Sequence, residues 1–158
     1  MIDSIDRKIL DLIQGNARLS NAEMAEAVGL TVSSVHERVK KMEKKGIIKG
    51  YVAIIDAEKL GKPLLAFLRL TVNSQDATRD GILRLCAAEP DILECHHVAG
   101  EDCYILKVRA AGPKQLEKLL SAIRNSAETS RSVTNIVLST HKESTRVEPA
   151  PVPEGGAS

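Results

Sequence analysis

Aromatic side chains are scarce: Phe67, Tyr51 and Tyr104 are the whole complement of 158 residues, and there is no Trp. That excludes modules that grip bases or sugars on aromatic platforms, single-strand binders among them. A dominant charge sign is missing too, since 22 basic side chains stand against 21 acidic ones. No apolar run approaches the roughly 18–20 residues that a membrane span needs. The opening residues, Met1 to Asp6, are acidic and already amphipathic, unlike a secretory leader. Cys86, Cys95 and Cys103 make an odd set without CxxC spacing, which argues against a disulfide framework. These absences predict a cytoplasmic chain with reduced thiols and no membrane contact.

What is present reads as globular: 43% hydrophobic and 27% charged residues, in a length that suits one ordinary domain or two small ones. The hydrophobic period changes near residue 50. Before it, Ile5, Ile9, Leu12 and Ile13 form one stripe of a helix over 3–14. Ser20 and Glu23 then make a capping box, and Gly29 ends that second helix cheaply. Thr31 caps a third helix that buries Val35, Val39 and Met42 and closes at Gly46. Two short capped helices across a Gly-containing turn spell a helix-turn-helix.

The overall charge balance hides a local excess. Between Arg38 and Lys49, six basic residues face the single acid Glu43. Opposite the buried stripe, and following Thr31, lie Ser33, Ser34, His36, Glu37, Arg38, Lys40 and Lys41. These are the short polar and long basic side chains that a major-groove helix uses on base edges and phosphates of double-stranded DNA. A basic helix face that is merely solvated is the plainer alternative, and the capped pair in front of it weighs against that.

Residues 51–62 predict a linker, a short strand and then a turn. Beyond it, 64–72 alternates faces, with Leu64, Ala66, Leu68, Leu70 and Val72 on the apolar one. A helix over 76–88 carries Ile82, Leu85 and Cys86; strands over 92–98 and 103–109 flank a Gly100 turn. Leu116, Leu119, Leu120, Ile123 and Ala127 mark a second helix, and 133–140 a last strand. The order βαββαβ is the ferredoxin-like arrangement of an α+β protein, with helices on one face only. Its other face needs cover, which a homodimer packed sheet on sheet provides; Leu65, Phe67 and the Cys95/His97 face are the candidates. The expected division is therefore 1–50, 51–62, 63–142, and a Pro- and Gly-rich tail over 143–158 expected to be disordered.

Across residues 2–142 the chain resembles the Lrp/AsnC (leucine-responsive, feast/famine) transcription regulators. The likeness rests on Ile5-Asp6-Arg7-Lys8-Ile9-Leu10, on Val28-Gly29-Leu30-Thr31, and on Arg38-Val39 through Gly46-Ile47-Ile48-Lys49-Gly50-Tyr51. It continues in Pro90-Asp91-Ile92-Leu93-Glu94-Cys95, Val98-Ala99-Gly100-Glu101, Tyr104-Ile105-Leu106-Lys107-Val108 and Ile136-Val137-Leu138. The resemblance implies a winged-type helix-turn-helix, an effector domain of the fold just derived, and dimers that assemble to octamers and respond to an amino acid. It places the effector at the hairpin, on Val98, Gly100, Glu101, Asp102, Cys103 and Tyr104, with Thr134 nearby. Where the family usually has an Asp before the hairpin aromatic, this chain has Cys103, with Asp102 one place earlier.

Two other function classes compete with this reading. Cys95, His97 and Cys103 could converge across paired strands as a metal- or thiol-responsive site, although CxxC and HxxxH spacings are missing. An enzyme is disfavoured, because the sequence offers no paired nucleophile and base and no phosphate-cradling Gly loop. No cofactor is expected beyond the amino-acid effector.

Overall fold

The computed structural model describes residues 2–72, 76–101, 103–126 and 129–150. The chain divides into two units, one of residues 2–53 with 142–150 and one of residues 54–141.

The first unit is built on three helices, α1 (Ser4–Gly15), α2 (Asn21–Val28) and α3 (Val32–Lys44). Each starts on a side-chain cap, because the first N–H groups of a helix have no partner within it. Asp3 accepts from the N–H groups of Ile5 at 2.9 Å and Asp6 at 2.8 Å, so it caps α1 rather than opening it. Ser20 and Glu23 close the expected box, the Ser20 N–H donating to Glu23 at 2.7 Å. Thr31 accepts from the Ser34 N–H at 3.2 Å. Gly29, at φ 71°, takes the left-handed conformation that turns α2 into α3. Ile9, Leu10, Met24, Ala25, Val35 and Met42 fill the core, with Val39 only partly buried against them.

Residues 51–56 form no strand, contrary to expectation, and 57–61 form the turn. A strand needs a ladder partner, and none of the described residues pairs with this segment. Val52 and Ile54 are each 83% exposed.

The second unit follows the expected order: β1 (Leu64–Val72), α4 (Asp76–Ala88), β2 (Ile92–His97), β3 (Tyr104–Ala110), α5 (Pro113–Ser126) and β4 (Thr129–Ile136). The antiparallel sheet runs β2-β3-β1-β4. Ala66, Leu68, Leu70, Leu106 and Val108 pack with Ile82 of α4 and Leu116, Leu119 and Ile123 of α5. Asp91, just before β2, is buried and bonded by the Lys62 ammonium and the Gln115 amide, which ties the 57–61 turn to α5.

Two details differ from expectation. β4 lies about four residues earlier than the predicted 133–140, since β1 pairs it from Val72–Thr129 to Ala66–Ile136. Leu138, inside the expected strand, is 97% exposed. In β2 a bulge between Ile92 and Glu94 shifts the alternation. Cys95 and His97 consequently pair with Leu106 and Tyr104 on the helix-covered face, not on the open one. The open face instead carries Leu65, Phe67, Glu94, His96 and Lys107.

Candidate functional site

The outer face of α3 is the first candidate. Ser33, Glu37, Lys40, Lys41 and Lys44 are exposed at positions i, i+4, i+7, i+8 and i+11, a single stripe along the helix. Thr31 and Ser34 stand at its start with their hydroxyls 2.8 Å apart, both engaged in the cap. His36 is exposed, its Nδ1 3.3 Å from the Asn21 amide of α2, a contact that steadies the turn between the two helices.

Arg38 is placed differently from the rest. Its Nη1 donates to Asp3 at 2.6 Å and to Asp6 at 2.7 Å, joining α3 to the capped end of α1. Donation from the Asp6 backbone N–H, and then from the Arg38 guanidinium, holds the Asp3 carboxyl below its usual range. The two carboxylates in turn raise the Arg38 pKa above its already high value. This side chain therefore spends its charge inside the unit. The sequence places Arg38 on the outer stripe because it borders that stripe; the long-range pairing with Asp3 and Asp6 leaves no local signature.

Tyr51 closes the far end of α3, its hydroxyl donating to Glu43 at 2.9 Å. Partial burial, and then that carboxylate, push its pKa up to about 12, so it remains a neutral donor. A cavity of about 530 Å³ opens between α1 and α2, lined by Lys8, Asp11, Leu12, Leu19 and Val28. None of the residues predicted for a site lines it.

The second candidate is the β2–β3 hairpin. The Val98 N–H donates to the Cys103 carbonyl at 3.0 Å, and the Cys103 N–H donates to Leu70 of β1 at 2.8 Å. Gly100 sits at φ 135°, backbone that L side chains rarely adopt, and leaves an open turn with Glu101 exposed beside it. Asp102 lies outside the described residues. Tyr104 is 6% exposed and stacks at a tilt on the His97 ring, 5.0 Å between centroids. His97 stands at this hairpin end on the Tyr104 side, a face set by the β2 bulge.

Thr134 is not beside that turn in the same chain. It pairs with Leu68, whereas the row through Tyr104 runs across Leu70 to Ser132. Two strand spacings, each about 4.8 Å, therefore separate its strand from β3. The structure gathers Val98, Gly100, Glu101, Cys103 and Tyr104 at the turn and leaves Thr134 apart.

Cys95, His97 and Cys103 do not form the soft-ligand set either. Cys95 meets Cys86 of α4, and burial, then the hydrogen bond with Cys86, pushes its thiol up to about 12. Among the described residues, no group of three His, Cys, Asp or Glu side chains could hold a metal ion. Cys86 carried a usable signal, its place on the apolar stripe of α4 facing the sheet. On the open face, hydrogen bonding from His96 and then Lys107 holds the Glu94 carboxyl below its usual range.

Comparisons with known proteins match both units. Residues 2–49 fit a family described as winged helix-turn-helix DNA-binding, and residues 65–147 one described as Lrp/AsnC ligand binding domain. The HTH-type transcriptional regulator FL11 of Pyrococcus horikoshii is 32% identical over 146 residues, covering 92% of this chain and 95% of its own. A feast or famine regulatory protein from M. tuberculosis, solved complexed with L-methionine, is 35% identical with a TM-score of 0.86; the match covers 94% of this chain and 100% of that one. A transcriptional regulator from Neisseria meningitidis, solved as an L-Met complex, is 27% identical with a TM-score of 0.87, covering 93% and 96%.

Proposed function

The chain belongs to the Lrp/AsnC family of transcriptional regulators, and from that premise we propose how its two units divide the work. The first unit binds duplex DNA with the exposed stripe of α3. Ser33, His36 and Glu37 face base edges, and Lys40, Lys41 and Lys44 neutralise phosphates. The single observation that supports this most is the stripe itself, exposed on a helix held by a three-sided framework of caps, core and the Arg38 clamp.

The second unit takes an amino acid at the 98–104 hairpin. A zwitterion needs an acceptor for its ammonium and donors for its carboxylate. The Gly100 turn leaves backbone groups accessible, and Glu101 supplies a carboxylate. Because Thr134 stands two strands away in the same chain, it joins such a site only from a neighbouring copy. In this reading the protein acts as a homodimer that assembles further, to octamers, with an effector bound at the seam. Two α3 helices per dimer reach half-sites about 34 Å apart, one turn of the duplex. A ligand that favours one assembly by about 1–3 kcal/mol shifts operator affinity roughly 5- to 150-fold. A cytoplasmic location goes with this reading.

Thermal shift across the twenty amino acids, L-methionine first, tests the effector arm. A stabilising hit whose effect is lost in Gly100→Ala supports it, and silence across the panel removes it. Fluorescence anisotropy on genomic duplex fragments tests the DNA arm; affinity that ignores salt concentration contradicts it.

A further inference from the structure

We infer that residues 142–150 are a C-terminal strap, latched along α1, that gives the DNA-binding unit a second and releasable tether to the end of β4. The expected tail had nothing to bury, and it buries little. It is nonetheless hydrogen-bonded. Past β4 the chain leaves the second unit and from residue 142 belongs to the first. Arg146 donates to Asp11 at 2.6 Å. Val147 makes a reciprocal pair with Gln14, its N–H donating to Oε1 at 2.7 Å and its carbonyl accepting from Nε2 at 3.1 Å. Arg7 then donates to the carbonyls of Pro149 at 3.3 Å and Ala150 at 2.7 Å.

Arg7, Asp11 and Gln14 stand at i, i+4 and i+7, one polar stripe of α1 on the side away from the buried Ile9. The composition of the tail suits an extended ligand for that stripe. Pro149 and Pro151 disfavour helical backbone at Glu148 and Ala150, which keeps the carbonyls available and lowers the entropy lost on docking.

The latch is weak by construction. Arg146 and Asp11 are 45% and 54% exposed, and such pairs contribute little and are screened by salt. The Arg7 Nε is buried without a hydrogen-bond partner, a cost that favours release. Segments with few buried contacts open far below the global unfolding free energy. Meanwhile α1 is bonded to α3 through Asp3, Asp6 and Arg38. Polar contacts thus run from the strap through α1 to the helix that the proposed function assigns to DNA, and strap closure preorganises that helix.

Charge reversal in the full-length protein tests the strap. Arg146→Glu sets like charges opposite Asp11, and Asp11→Lys with Arg146→Glu restores attraction at unchanged net charge. Val147→Pro removes the donor to Gln14 without altering charge. Hydrogen exchange of the C-terminal peptide reads the latch. The expected result is protection in the parent protein, its loss in both single variants, and its return in the swap. Duplex affinity without any amino acid reads the consequence, expected to fall severalfold in both single variants and recover in the swap. A C-terminal peptide that exchanges like free peptide in the parent protein, or a swap that restores nothing, overturns the strap. Protection that responds while duplex affinity stays constant in every variant overturns its role in preorganising α3. This inference rests on α3 as the DNA helix; a parent protein that binds no duplex refutes that reading instead, and hydrogen exchange alone then decides the latch.

Discussion

Arg38 and Lys41 sit three residues apart on α3, and their surroundings assign them opposite work. The Arg38 guanidinium is committed to Asp3 and Asp6, while Lys41 is exposed on the outer stripe. Arg38→Ala is therefore expected to lower the melting temperature of the DNA-binding unit, as Asp6 loses its charged partner. Arg38→Lys should recover only part of that, since both bonds come from Nη1 at the far end of the guanidinium and the shorter lysine arm does not reach the same point. Lys41→Ala should leave melting unchanged and reduce the salt dependence of duplex binding by about one unit of slope. Calorimetry and salt-titrated anisotropy on both variants separate the two roles; equal melting in Arg38→Ala and the parent would refute the clamp. Gly100 poses a backbone question instead. A Cβ there meets no neighbouring atom, yet φ 135° strains any L side chain. Gly100→Ala should destabilise the hairpin unit by about 1–3 kcal/mol, measured by urea unfolding.

At the scale of elements, the caps make the first unit sensitive to acid. Asp3 and Glu23 both have folded-state pKa values below their ordinary 3.8 and 4.5, each chiefly because a backbone N–H donates to the carboxylate. A depressed acid contributes its stabilisation fully above the unfolded value and loses it as pH falls through the folded one. Unfolding of the helical unit should accordingly begin below about pH 4.5, and Glu23→Gln should make the acid limb shallower. A limb unchanged by that substitution would separate the cap from the acid response. Ser20→Ala, which removes the other half of the box, is expected to cost about 1 kcal/mol near neutral pH. Caps of this kind are legible in a sequence because their partners lie three residues apart, as Ser20 and Glu23 do. The βαββαβ order was legible for a similar reason, each element carrying its own period. Registers were not. The β2 bulge turned Cys95 and His97 to the helix side, and β4 slid to Thr129–Ile136, because both follow from pairing across the sheet. The strap leaves no local signal, because it buries no apolar stripe and rests on partners more than 130 residues away.

On the scale of the whole molecule, apolar surface remains exposed among the described residues. Ile54, Ile55 and Leu60 are 83%, 59% and 68% exposed, and Phe67 is only half-buried on the sheet face away from α4 and α5. A large aliphatic side chain gains about 1.5–3 kcal/mol when fully buried. Residues 51–56 also make no ladder with the described residues, and backbone groups left in this way are open to pairing with another chain. The proposed homodimer would meet both needs through an isologous contact, in which each chain presents the same patch. Charge placed in that patch should split the assembly without unfolding the chain. Ile54→Glu is suited to the test, because its side chain makes no core contact to lose. Light scattering at micromolar concentration should give twice the chain mass or more for the parent protein and half of its value or less for the variant, with the far-ultraviolet helix signal retained. Duplex binding should weaken in parallel, since two α3 helices held at fixed separation bind two half-sites as one event and separate chains do not. A variant that keeps both its mass and its affinity would place the interface elsewhere and leave the open sheet face without an occupant.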